Sequence, residues 1–196
     1  MTESYNKRTG LICHYIYMIE SHIIKFMKNE KYISNLIGTF ATSVSNDIEK
    51  QIAELGGRSL SHEAALVTIY NHPNETIDVL SKVLGLTHSG AVRLINTLEK
   101  EEFVERRKSV KDARSVVLCV TDKGSQRVEL VLASRETATS KILNNFNDEQ
   151  KQRFLSLIEV ALGSLTNEQV EARKICKLCN EGVCRKQGCP VENAIK

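Results

Sequence analysis

A chain of 196 residues is long enough for one compact domain, or for a small domain with appendages. Its composition, 41% hydrophobic and 26% charged, is that of a globular chain, which excludes disordered and fibrous classes. The net charge of +3 names no partner by itself, because nucleic-acid binding depends on where positive side chains cluster rather than on their sum.

Two prolines, no tryptophan and ten other aromatic rings (five Phe, five Tyr) predict a mainly helical protein with a core of Leu, Ile and Val. No stretch reaches the roughly 18 uninterrupted apolar residues of a membrane helix. Leu11–Met27 comes nearest, but it is broken by His14, Glu20, His22 and Lys25, and no small-residue cleavage site follows it. A cytoplasmic protein without membrane contact is therefore expected, and the Asn74-Glu75-Thr76 sequon is read as chance.

In chain order, Leu11–Met27 has helical apolar spacing and predicts an extra N-terminal helix, with residues 1–32 as an extension. Ile33–Leu55 repeats apolar residues at three- and four-residue steps and ends at Gly56-Gly57, so 33–60 is expected to carry a dimerisation helix. Ser61–Asn71 follows, capped by Ser59 or Ser61 and stopped by His72-Pro73. Thr76–Leu84 and His88–Lys100 are two short helices, and Phe103–Val104 and Ser115–Thr121 are short strands. Residues 61–124 thus form one unit. Asp122–Asn145 and Asp148–Lys174 predict two long helices, the second opened by Asp148 and burying Phe154, Leu155, Ile158, Leu162 and Leu165; residues 125–174 are assigned to dimerisation. Long helices flanking so small a centre cannot bury their apolar stripes within one chain, so an intertwined homodimer is expected.

The pair Thr76–Leu84 and His88–Lys100, joined across Gly85-Leu86, has the form of a helix-turn-helix. In the second helix Ala91, Leu94, Ile95 and Leu98 make the inward stripe. Thr87, His88, Ser89, Gly90, Arg93, Asn96 and Thr97 lie on a short polar face suited to base edges and phosphates in a major groove. Residues 104–114 then hold five basic side chains (Arg106, Arg107, Lys108, Lys111 and Arg114) against two acidic ones, Glu105 and Asp112. A hairpin tip with that charge fits a minor groove or a phosphate backbone, and Asp112 is placed to brace the Arg114 side chain.

Residues 76–124 resemble the winged helix-turn-helix of the multiple antibiotic resistance regulator (MarR) family. The resemblance is carried by Leu86–Ile95, Leu98-Glu99-Lys100, Phe103-Val104-Glu105-Arg106, Asp112-Ala113-Arg114 and Val120-Thr121-Asp122-Lys123-Gly124, and it extends more loosely from about residue 33 to about 165. It implies a mainly α fold with a small β-hairpin wing, dimerisation through the end helices, and double-stranded DNA as partner. It also implies a regulator, usually a repressor, that in many members responds to a small-molecule effector, with Arg114 reaching DNA from the wing. Two positions depart from the family pattern. Glu102 stands where a glycine is usual, so the cap of the preceding helix must form differently, and Val92 replaces a common threonine on the DNA side.

Four of six cysteines fall within fourteen residues, as Cys176-x2-Cys179-x4-Cys184-x4-Cys189. Such a cluster in a cytosolic chain points to metal rather than disulfides. Tetrahedral thiolate ligation suits Zn²⁺, and the Cys189-Pro190 step is also reminiscent of loops that hold a [4Fe–4S] cluster. Residues 175–196 are therefore read as a metal or cluster loop, with Lys174, Lys177, Arg185 and Lys186 offsetting thiolate charge; zinc would pin the tail, whereas a cluster would make the regulator a sensor. Cys13 and Cys119 read as ordinary small apolar residues. An enzyme is not expected, because no nucleotide fingerprint or Ser/His/Asp pattern is present and the five histidines are scattered as surface or cap residues. An electron carrier lacks a second redox motif, and an RNA-binding knuckle lacks the aromatics for base stacking.

Overall fold

The computed structural model describes residues 29–112 and 114–195, which divide between residues 46 and 47 into two compact units. The proposed helix Leu11–Met27 and Cys13 lie outside the described residues. Helix α1 occupies 29–53, starting earlier than its periodicity suggests. In the first unit its Tyr32, Ile33, Leu36 and Ile37 are exposed. In the second unit its last turns place Ile52 in the core, with Ile48 and Leu55 packed against it. Gly56 and Gly57, with φ of +84° and +88°, then turn the chain in a conformation that side chains resist.

The second unit continues with α2 (Leu60–Asn71), α3 (Ile77–Leu84), α4 (His88–Lys100), β1 (Val104–Lys108), β2 (Val116–Val120), α5 (Asp122–Leu143), α6 (Asp148–Gly163), α7 (Gln169–Cys176), α8 (Glu181–Gln187) and α9 (Pro190–Asn193). The strands pair antiparallel from Val104 opposite Val120 to Lys108 opposite Val116. The first strand is longer than its two-residue prediction, because Glu105–Lys108 extend the ladder as well as carrying charge. Residues 74–75 add a third rung: Leu118 donates its N–H to the Glu75 carbonyl (2.9 Å), and Asn74 donates to the Leu118 carbonyl (3.0 Å). The core lies among α2, α4, α5 and the hairpin, with Leu66, Ile95, Leu98, Leu118, Val128 and Val131 almost fully buried. Within α4 the inward stripe is Ala91, Leu94, Ile95 and Leu98, as its spacing predicted.

A second, ionic anchor is set within this core. Glu63 is 0% exposed and accepts from Arg127 Nε at 3.1 Å, while Arg127 also donates to the carbonyls of Leu55 (3.1 Å) and Gly56 (3.2 Å). One guanidinium therefore holds the turn that follows α1 and ties it to α2 and α5.

Two corrections concern the C-terminal half. The single helix expected over Asp148–Lys174 is broken after Gly163, and α7 restarts at Gln169. Its N-cap is Asn147 rather than Asp148: Asn147 and Gln150 exchange hydrogen bonds as a reciprocal capping box (2.9 and 3.0 Å). The apolar face of α6 is not buried in one chain; Phe154, Ile158 and Leu162 are half-buried, and Leu155, Leu157, Val160 and Leu165 are exposed. Among the described residues no helix is long and apolar enough to cross a membrane.

Candidate functional site

The helix-turn-helix is built by local side-chain caps that the sequence reading did not single out. Thr76 accepts from Val79 N–H and Thr87 from Gly90 N–H (3.1 Å), starting α3 and α4. Between them Gly85 takes a left-handed conformation (φ +66°), and Leu86 donates back to the Ser81 carbonyl (2.9 Å). With Ala91, Leu94, Ile95 and Leu98 inward, the side chains of Thr87, His88, Ser89, Arg93, Asn96 and Thr97 are exposed on the other face, and Gly90 is half-buried at its start. His88 Nδ1 meets Asp78 of α3 at 2.7 Å, on the surface. Val92, the departure on this helix, is half-buried beside the polar face.

The hairpin stands directly beside α4. Arg106 is half-buried and reaches across to the helix, donating to Asn96 (2.7 Å) and pairing with Glu99. Arg107 pairs with Glu105, which raises its already high pKa. Lys108, Lys111 and Arg114 are exposed toward the tip. Asp112 accepts from Ser115 Oγ (2.7 Å) and from the backbone N–H of Arg114 (3.0 Å), which depress its pKa. It therefore shapes the turn and meets Arg114 through the main chain, where an ion pair with the guanidinium was expected.

The two ends of the hairpin have a physical account. Glu102 adopts φ +62°, the conformation usually left to glycine, so the α4 exit keeps its geometry at the cost of strain. Phe103 N–H then returns to the Leu98 carbonyl (2.9 Å). At the wing exit Thr121 donates its hydroxyl to the Glu102 carbonyl (2.6 Å) and accepts from Gly124 N–H (3.0 Å). A Cβ on Gly124 would lie 2.1 Å from the Phe103 carbonyl oxygen. The Thr-x-x-Gly run is thus the clasp that closes α5 onto the root of the hairpin.

The cysteines form a second site. Cys176, Cys179, Cys184 and Cys189 all line one cavity of about 260 Å³, whose wall includes Leu162, Ile175, Val191 and Ile195. The segment is not a bare loop, since it holds α8 and α9, and α9 packs on α6 and α7. Among the described residues no three or more His, Cys, Asp or Glu side chains make a group that could hold a metal ion. A hydrogen bond from the Cys176 thiol, aided by Arg135, lowers the pKa of Cys179 to about 6 against the cost of burial. The same hydrogen bond raises that of Cys176, and burial raises that of Cys184.

The cation that meets this cluster is Arg135 of α5, with Nη2 3.9 Å from Cys179 Sγ. Of the cations named from sequence, Arg185 is engaged by Glu181 (2.7 Å) and Glu192, and Lys174 by Glu171. Sequence reasoning also missed the groups that fasten the tail to the winged helix. Asn71 donates to the Cys179 carbonyl (2.9 Å), His72 meets Glu181 (3.0 Å), and Arg173 holds Glu75 (2.9 Å). These pairs are about a hundred residues apart in the chain, so no local spacing could reveal them. Cys119 is a buried small residue, as expected, with its thiol on the Asn74 side-chain oxygen (3.2 Å).

Residues 59–116 match the model of the MarR family. The chain is 29% identical over 90 residues to the HTH-type transcriptional regulator YwhA of Bacillus subtilis, an alignment covering 46% of this chain and 65% of that one. It is 28% identical over 103 residues to the transcriptional repressor MprA of Escherichia coli K12, covering 52% and 58%. These alignments span about half to two thirds of the length of either relative. Among solved structures, Streptococcus pneumoniae FabT in complex with DNA is similar with a TM-score of 0.54 and 24% identity, covering 68% of this chain and 99% of that one.

Proposed function

We propose that this chain, whose winged-helix region belongs to the MarR family, is a cytoplasmic homodimeric repressor that places α4 in the major groove of duplex DNA and its wing on the adjacent backbone or minor groove. The observation that carries the reading is the pairing of a polar, solvent-facing α4 with an arginine-bearing hairpin locked to it through Arg106, Asn96 and Glu99. Because that lock fixes the angle between helix and wing, both can address one duplex face without further ordering. Lys108, Lys111 and Arg114 supply the charge that displaces counterions from phosphates, and His88, Ser89 and Arg93 are the side chains placed to read bases. The exposed apolar faces of α1 and α6 support a second copy as the dimer partner, since they are too large to be left to water in a stable monomer. Repression is favoured by the similarity to a protein named as a repressor.

The test is binding to duplexes selected from random sequence, with the salt dependence measured. Arg114→Ala should weaken binding to every duplex and flatten the slope of log K against log salt by about one per protomer. Ser89→Ala should instead change which sequence is preferred. Wild-type affinity for Arg114→Ala at all salt concentrations would refute the wing contact, and a strictly monomeric protein would refute the dimer.

A further inference from the structure

We propose that Cys176, Cys179, Cys184 and Cys189 hold a [4Fe–4S] cluster rather than one zinc ion, and that its presence is transmitted to the helix-turn-helix through the segment 71–76. Zinc–thiolate bonds of about 2.3 Å would draw four sulfurs to within about 4 Å of each other in a tetrahedron. All four thiols here line one cavity of about 260 Å³, and among the described residues no three or more His, Cys, Asp or Glu side chains make a group that could hold a single ion. A four-iron cluster takes one thiolate at each of four separate irons, so its ligands stand around a volume instead of a point. The wall chemistry agrees. Leu162, Ile175, Val191 and Ile195 exclude water. Arg135 offsets the charge of the thiolates and the core. Arg173 also lines the cavity, and its Nε–H is buried without an acceptor, which a cluster sulfide would supply.

The site is built into the back of the DNA-binding region. Leu178, between the first two cysteines, packs against the core that α4 shares, and α7 packs on α3. Asn71 at the end of α2, and His72 and Glu75 in the link to α3, are held respectively by the Cys179 carbonyl, Glu181 and Arg173. Glu75 also pairs with Leu118 of the wing strand, so one short segment joins the cysteine turn, the start of α3 and the wing. Fixing four cysteines on a rigid core fixes this segment as well; that this changes DNA affinity rests on the function proposed above.

Loading is a ligand exchange. Each cysteine thiol gives its proton to a departing small thiolate and forms one iron–sulfur bond, with no change of oxidation state. The experiment is therefore anaerobic transfer of a preformed [4Fe–4S] tetrathiolate complex to the full-length chain, followed by gel filtration. Four irons and four sulfides should be retained per chain with a brown visible absorption, Cys184→Ser should lose most of both, and Cys119→Ser should lose neither. In the native chain the four tail thiols should resist alkylation only after loading, a readout that needs no variant to fold. A colourless, iron-free protein, or one zinc per chain that blocks transfer, would overturn the assignment. Amide hydrogen exchange over residues 71–80 should slow by about fivefold or more on loading, in the usual range of coupling between sites. Unchanged exchange would overturn the transmission. Neither readout uses DNA, so a failure of the DNA-binding function would be seen separately.

Discussion

Replacing Glu63 by glutamine keeps the shape of a fully buried side chain while removing its charge, leaving Arg127 opposite a neutral amide. Glu63 is 0% exposed and the Arg127 side chain 10%, so water screens little of their interaction. Breaking one partner of such a buried pair costs about 3–5 kcal/mol. Two of Arg127's acceptors, the Leu55 and Gly56 carbonyls, survive in the variant, which favours the lower end. For a chain of this size about 3 kcal/mol corresponds to a fall in Tm of roughly 6–12 °C. The assay is thermal and urea unfolding at one fixed protein concentration, since the proposed dimer would make stability depend on concentration. The double variant Glu63→Met/Arg127→Met should lose less than the sum of its single changes, by about 1–3 kcal/mol. It should not regain wild-type stability, because the turn after α1 has lost its guanidinium donor. A loss below about 1 kcal/mol for Glu63→Gln, or simple additivity, would refute the view that this pair fastens α1 to the winged helix.

Glu102→Gly should relieve the left-handed strain at the end of α4 and stabilise the fold by about 1 kcal/mol, raising Tm by roughly 2–4 °C; no rise would mean that residue 102 is not strained. Gly124→Ala should destabilise by about 1–3 kcal/mol through collision with the Phe103 carbonyl, measured by urea unfolding. In cluster-free protein Cys179, with its pKa lowered to about 6, is mostly thiolate at pH 7, so iodoacetamide should label it first. The rate should fall as pH drops through about 6, whereas an ordinary thiol slows already below about 8.5. The affinity of the loaded and unloaded protein for its selected duplex should differ by about fivefold or more, and Arg173→Gln should retain iron while shrinking that difference, read by fluorescence anisotropy.

The local architecture was legible because each of its signals is local. Gly85 ends α3, and period 3.6 in α4 separates Leu94, Ile95 and Leu98 from Ser89, Arg93 and Asn96, whereas the caps Thr76, Thr87 and Thr121 were not singled out from the sequence. The C-x2-C-x4-C-x4-C spacing marked the cysteine site for the same reason. The break after Gly163 was missed because residues 164–168 contain no proline, and the apolar positions continue through Leu165. The extent of the first strand was missed because Glu105–Lys108 read as charge, although pairing with Val116–Val120 makes them a strand.

From the sequence alone followed the order of helices and strands as far as α6, the polar face of α4, the basic hairpin and the four grouped thiols, since glycine stops, periodicity and ligand spacing act within a few residues. Only the folded chain decided that Arg106 turns to Asn96, that Asp112 serves the main chain of its own turn, that Glu63 finds Arg127, and that Arg135 rather than a neighbouring lysine meets the thiols. These partners lie 2 to 64 residues apart along the chain. Whether a charge finds an opposite charge, a carbonyl or water depends on which surfaces are brought together when the apolar core closes, and no local pattern encodes that choice.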